Sequence, residues 1–413
     1  MKNILFPTLG SAGDVYPLIT ISREMNRRGF NSIIIASPVF QTLVQESQVG
    51  FIPLGTQQQF NDLVNNPDLW DPIRGFQVVI NQGVLPFLRP LLEIIRSYSA
   101  QDSLIVSPLL LFGSHVAHQK FQYPLITLQL QPSLLRSIFA PPVLGSTALP
   151  GWLHPQIVKF YYKALDKIVI DPILAPELNR FRKELGLPRV QRIFDRHLFS
   201  STKNIGLFPE WFAPPQPDWP ENTICTGFVS SMNCPEHFSE ALQRFLESGD
   251  APLVFTAGTA MHHGSDFFQT AIEACQILKK RAILLTRQTD QLPTKLPATV
   301  LHQTFVNLSQ LLPHASAFIY HGGIGSLAQA IAAGIPQLIM PMSQDQPDNA
   351  TRIQRLGLGE SIRPADFTPL KVAKKLNGLL SNPEIQSRCK KFAAQIDFEN
   401  ALQVTCQEIA DAF

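Results

Sequence analysis

Short apolar runs, each fit for one buried strand, recur along this chain with helical stretches between them. That alternation constrains the fold more than any other feature. In the first half the runs cover 3–6, 32–36, 51–54, 104–107, 125–128 and 204–207. In the second they cover 253–256, 282–285, 300–302, 317–320 and 337–340. A strand with one wet face alternates apolar and polar residues; these runs are mostly apolar without such alternation, so both faces should be covered. Strands interleaved with helices predict an α/β chain with parallel sheets and right-handed crossovers. The first helix is expected over about 16–28 and the last over 398–412.

With 413 residues, 45% of them hydrophobic and 16% charged, the chain can build two cores. The break falls at Phe208-Pro-Glu-Trp-Phe-Ala-Pro-Pro-Gln-Pro-Asp-Trp-Pro220, whose five prolines favour a stiff connection over sheet or helix. Domains are therefore expected at 1–215 and 216–395, with a C-terminal helix in 396–413 crossing back to the first. A formal charge of +2 without a block of like charges excludes a nucleic-acid footprint. No apolar run is expected to reach the ~18 residues of a membrane helix. The first residues read as a strand stopped by Pro7 and not as a signal peptide. Five scattered cysteines without a CxxC pair suggest neither disulfides nor zinc. Reducing cytoplasm is the expected location, with a peripheral membrane contact left open and the oligomeric state undetermined.

The run 317–320 leads into His321-Gly-Gly-Ile-Gly-Ser326, and helical periodicity follows. A helix starting here aims unpaired N–H groups and a positive dipole end at the glycine turn, where a diphosphate would be stabilised. Gly323 and Gly325 let backbone approach a ligand closely. Ser326 can cap the helix or donate its hydroxyl to phosphate. Asp345 and Gln346 pair a carboxylate with an amide, matched to vicinal hydroxyls, or they cap the helix that follows. Asn349 is either a phosphate-side contact or a structural polar residue. Asp14 lies between the first strand and the 16–28 helix, as an N-cap or as a general base. The adjacent His262 and His263 on a loop are poorly placed to chelate together. No GxSxG, HExxH or GxxxxGK[ST] is present.

The stretch His321-Gly-Gly, Gly325-Ser326, Ala330, Ala333-Gly334, Pro336-Gln337, Pro341 and Asp345-Gln-Pro-Asp-Asn349 resembles the donor-binding signature of the family 1 nucleotide-sugar-dependent glycosyltransferases. The microbial subgroup acting on sterols and antibiotic aglycones is the most similar. Leu9-Gly-Ser-Ala-Gly-Asp-Val-Tyr-Pro17 resembles that family's first turn, and Pro217-Asp-Trp-Pro220 with Thr226-Gly-Phe228 its interdomain entry. The resemblance implies the GT-B fold: two Rossmann-like parallel-sheet domains facing across a cleft, acceptor in the first and donor in the second.

It further implies that His321 contacts a donor phosphate, that Asp345 and Gln346 hold the hexose, and that Thr259 lies in a second phosphate-side loop with Ala257 and Gly258. Phe305 stands where many relatives carry a base-stacking tryptophan, and the backbone of Val306 would pair with the base edge. Asn307 replaces a common proline. Asp14 takes the general-base position, and Ala12 stands where an arginine is frequent. The implied reaction is an inverting displacement from UDP-glucose, with a dTDP-sugar as second choice and no metal or other cofactor. Phe60, Trp70, Phe76, Phe87, Phe139 and Trp152, among prolines and glycines of 56–99 and 131–155, either cover the core or line a pocket for a hydrophobic small-molecule acceptor. A nucleotide-sugar epimerase or hydrolase of the same fold, or an inactive nucleotide-sugar-binding paralogue, is the alternative.

Overall fold

In the computed structural model, which describes residues 2–413 except 72, 146, 199–200, 231–237 and 259–263, the apolar runs form two wholly parallel sheets. The first contains β1 (Asn3–Pro7), β2 (Asn31–Ala36), β3 (Gly50–Pro53), β4 (Ser103–Pro108), β5 (Leu125–Gln129), β6 (Lys203–Gly206) and β7 (Thr223–Cys225), in the order β3-β2-β1-β4-β5-β6-β7. The second contains β8 (Leu253–Thr256), β9 (Ala282–Leu285), β10 (Val300–Gln303), β11 (Ala317–Tyr320), β12 (Gln337–Ile339) and β13 (Gly359–Ser361), in the order β10-β9-β8-β11-β12-β13. Strand order reverses between β1 and β4 in one sheet and between β8 and β11 in the other. In open parallel sheets the carboxyl ends of the strands at such a reversal are where ligands bind.

Strand alternation divides the first core between the two faces of its sheet. Leu5, Ile33, Ile35, Ile105 and Leu125 point to one side, with Ile80, Phe87, Leu91, Leu174 and Phe181 packed over them. Ile4, Phe6, Ile34, Leu104 and Ile126 point to the other, under Val15, Leu18 and Met25 of the Ala12–Arg27 helix. The last helix, Phe398–Ala410, places Leu402, Cys406 and Ile409 in that same layer. Accordingly the first compact unit is Met1–Ser231 together with Phe398–Phe413, and the second is Met232–Asp397.

Three expectations need correction. The proline-rich segment is not a bare connector, since Phe208, Phe212 and Trp219 are buried and the Trp219 indole N–H donates to the Leu135 carbonyl at 3.0 Å. β7 then pairs with β6, so a boundary at 215/216 would cut through the first unit. Neither β7 nor β13 stands out in the sequence, because each is three residues long and Gly359-Glu-Ser carries no apolar run. Finally, the helical stretch Arg74–Arg96 is long and apolar enough to cross a membrane by length and mean hydropathy, although polar residues interrupt it. Its Ile80, Val84, Leu88, Leu91 and Ile95 belong to the first core.

Candidate active site

The turn after β11 leaves a helix start open. The helix runs Ile324–Ala332 with Gly323 at its N-cap, and no side chain caps it. Ser326 therefore falls at the third helical position and not at the cap expected for it. The N–H groups of the first turn have no partner within a helix. Gly325 is exposed, and a Cβ there would meet nothing within 4 Å. Glycine costs about 1 kcal/mol against alanine inside a helix, and no neighbour in the chain requires it at this position.

His321 ends the strand and is half-buried. Its ring lies between two glycines: a Cβ on Gly258 would come within 2.9 Å of the ring, and one on Gly323 within 2.6 Å of Nε2. Gly258 follows β8, whose neighbour in the sheet is β11, and has a φ of +99° that side chains rarely adopt. Nδ1 of His321 is buried with no hydrogen-bond partner among the described residues. Burial pushes the imidazole down to about 4, so the ring is neutral near pH 7. It can form a hydrogen bond to a phosphate; a standing ion pair is not its resting state.

The residues after β12 hold this turn in place. Asn349 is wholly buried and its Nδ2 donates to the Gly322 carbonyl at 2.9 Å and to Asp345 Oδ2 at 2.7 Å. The Nδ2 of Asn349 thus ties Asp345 to the β11 turn, while its Oδ1 is buried without a hydrogen-bond partner among the described residues. Asp345 occupies the N-cap position of the Gln346–Leu356 helix without making a side-chain cap bond. Its carboxylate is half-buried and oriented by Asn349. Gln346 is buried, and its Oε1 accepts from the Met342 N–H at 2.9 Å. One end of that amide is therefore committed to its own loop.

Phe305 is 41% exposed, and the Arg287 guanidinium lies over it at 5.3 Å. The pair offers a stacking platform followed by half-buried Val306. Asn307 caps the next helix, accepting from Ser309 N–H at 3.0 Å. Arg287 was not legible as part of this platform, because it follows β9 and only the sheet order brings β9 beside β10. Thr259 and the pair His262-His263 lie outside the described residues.

The turn after β1 is built differently. The helix begins at Ala12, not at 16, with Ser11 as its N-cap and Asp14 at the third helical position. Asp14 Oδ2 accepts from the Ser11 N–H at 2.8 Å and its hydroxyl at 3.2 Å, forming a capping box with the Ser11 side chain. Gly10, at φ +120°, has no side chain to obstruct that carboxylate; a Cβ would sit 2.4 Å from Oδ2. Burial raises the Asp14 carboxyl to about 6 against the downward pull of the Ser11 hydrogen bonds. The residue as a whole is half-buried.

The expected acceptor aromatics do not form one pocket. Phe60 packs edge-on against Phe40 on the face that carries the Ala12–Arg27 helix. Phe76 and the buried Phe87 belong to the opposite face. The sheet separates them, which sequence proximity could not show. Trp70 is half-buried, its indole N–H without a partner among the described residues. Phe139 and Trp152 are exposed. An open groove of about 720 Å³, lined by residues including Gln77, Asn81, Pro86, Pro172 and Glu177, contains none of these aromatics. Among the described residues no group of three or more His, Cys, Asp or Glu could hold a metal ion.

Residues 4–140 match the family described as glycosyltransferase family 28 N-terminal domain. Residues 269–413 match the erythromycin biosynthesis protein CIII-like, C-terminal domain. The chain is 23% identical to O-mycaminosyltylonolide 6-deoxyallosyltransferase of Streptomyces fradiae, over 97% of this chain and 94% of that one. The solved structure of the glycotransferase of kitacinnamycin superposes with a TM-score of 0.77 at 17% identity, covering 100% of this chain and 99% of the other. A spinosyn rhamnosyltransferase complexed with thymidine diphosphate gives 0.67 at 15% identity, covering 99% and 100%.

Proposed function

We propose that this chain, which belongs to the family 1 glycosyltransferases with the GT-B fold, moves a hexose from a pyrimidine nucleoside diphosphate to a hydroxyl of a hydrophobic small molecule, with inversion at the anomeric carbon. One observation carries the donor half. The uncapped start of the Ile324–Ala332 helix lies beside His321, whose buried Nδ1 lacks a partner among the described residues. Both features suit a diphosphate, which would accept from the first-turn N–H groups and the imidazole.

The base half rests on Asp14. The acceptor oxygen forms its bond to the anomeric carbon as its proton passes to the Asp14 carboxylate. The bond from that carbon to the diphosphate oxygen breaks, and the diphosphate leaves with the electron pair. Negative charge grows on the leaving oxygens, where an oriented helix start stabilises it without having to reorganise. A carboxyl raised to about 6 is a better base than an ordinary aspartate near ~3.9 and is still ionised at neutral pH. Asp345, held by Asn349, would accept hydrogen bonds from the sugar hydroxyls. Phe305 under Arg287 would stack on the base.

UDP-glucose is the donor of first choice. A dTDP-sugar is the second, favoured by the thymidine diphosphate bound to a protein of the same fold. No metal or other cofactor takes part in this mechanism. The test is to give the purified protein each donor with phenolic, sterol and macrolide acceptors and to follow product mass and anomeric configuration. A glycosylated product of inverted configuration supports the reading. Release of free nucleoside diphosphate without glycosylated product identifies a hydrolase. Donor binding with neither outcome identifies an inactive paralogue.

A further inference from the structure

One surface of the first unit is unusual for a protein that keeps its apolar residues inside. Residues 155–184 form a continuous helical stretch, with α-helical turns at Pro155–Leu165 and Asp171–Glu184 and a wider turn at 166–170. Its inner side is anchored by Val158, Tyr162, Ile170 and Leu174. Its outer side carries Ile157, Phe160 (73% exposed) and Ile168 (72% exposed), and Trp152 just before the helix is 82% exposed. Isolated exposed apolar residues need no explanation, but a group on one helix face does.

Lys159, Lys163 and Lys167, spaced by four, make an exposed row beside these residues. No ion pair joins any of the three to a described residue. The only acid between 151 and 170 is Asp166, which is buried against Arg136 at 2.6 Å. The outer face is therefore apolar along one row, cationic along the next, and without exposed carboxylates.

We propose that this face of the 155–170 helix docks on an anionic lipid surface. Apolar side chains would enter the headgroup boundary, the lysines would meet lipid phosphates, and Trp152 would sit at the interface where tryptophan is favoured. Charge complementarity selects this occupant over a second copy of the chain. A two-fold interface uses the same patch from both copies and would bring two rows of lysines together.

The test is co-sedimentation of the full chain with vesicles of phosphatidylcholine alone and of phosphatidylcholine mixed with phosphatidylglycerol. Binding is expected on the mixed vesicles and should weaken as salt is added. The triple variant Lys159→Glu/Lys163→Glu/Lys167→Glu should lose affinity on the order of a hundredfold. Its transfer to a water-soluble acceptor should stay at the wild-type rate, which verifies the fold. Phe160→Ser should weaken binding by about tenfold. Brominated lipids should quench the wild-type fluorescence, and Trp152→Phe should remove most of that quenching. The proposal is overturned if the wild-type chain ignores the mixed vesicles, or if the triple variant binds them as tightly as wild type. A concentration-dependent dimer abolished by Phe160→Ser would equally overturn it in favour of a second copy.

Discussion

The turn after β1 and the turn after β11 each lie at the reversal of strand order in their own sheet, on opposite sides of it, since β1 corresponds to β8 and β11 to β4. Both lead into a helix, yet their first turns are finished in opposite ways. At Ser11–Asp14 the chain satisfies its own helix start with a serine and a carboxylate. At Gly323–Ser326 it leaves the start open, with no side-chain cap and an exposed glycine. A self-capped turn fixes a carboxylate in place, whereas an uncapped one keeps its N–H groups available to an anion. The difference is the one the proposed mechanism asks for, with a base at the first turn and the leaving diphosphate at the second.

The largest expected effect breaks the comparison at its acidic end. Asp14→Asn keeps an oxygen that can accept from the Ser11 N–H, so the helix start and Tm should hold. Transfer should fall by about 10²–10⁴-fold, with donor affinity unchanged by calorimetry. Near-normal turnover would remove Asp14 from the mechanism.

Breaking the other end should act on binding. His321→Ala is expected to weaken donor affinity on the order of ten- to a hundredfold. Gly258→Ala should weaken it too, although His321 is still present, because the new Cβ would displace the ring and burden a φ of +99°. Unaltered donor affinity in both variants would argue against a phosphate contact.

The pH profile sharpens the contrast between the two turns. In the proposed mechanism Asp14 acts as base only when ionised, so kcat/KM should drop about tenfold per unit below pH 6 and level off above it. Ser11→Ala removes a side-chain hydrogen bond that lowers the Asp14 carboxyl, so the inflection should move upward. The same variant loses its cap, at about 1 kcal/mol of stability, and Tm should fall by a few degrees. A profile without an inflection near 6 would separate Asp14 from the rate.

The smallest effect is the most discriminating. Gly325→Ala should stabilise the fold by about 0.5–1 kcal/mol, since the added Cβ meets no protein atom and alanine favours helix. Donor affinity should nevertheless decline if a ligand approaches that backbone. Loss of stability, or improved donor binding, would show that the glycine serves the chain and not a ligand.

Much of this contrast was legible in the residues. The glycine turn, His321 and the helix start could be read because β-strand, turn and helix there are consecutive in sequence. The strands were legible for the same local reason, apart from β7 and β13, whose three residues are recruited by pairing. The helix begins at Ala12 and not at the expected 16, because Ser11 and Asp14 close its first turn with a capping box. Asn349 could not be assigned from sequence, because only folding buries it between the Gly322 carbonyl and Asp345. The aromatics of 56–155 could not be sorted between core and pocket from sequence, since only folding puts a sheet between Phe60 and Phe87.

By itself, then, the sequence determined the two parallel sheets, the glycine turn with its helix start and the carboxylate of the first turn. These follow from hydrophobic periodicity and from residues within one helical turn of each other. Tertiary structure alone decided that Gly258 and Gly323 flank His321, that Arg287 covers Phe305, and that burial lifts Asp14 toward neutrality. Those are consequences of strand order and of removing groups from water, and neither is written in any short stretch of chain.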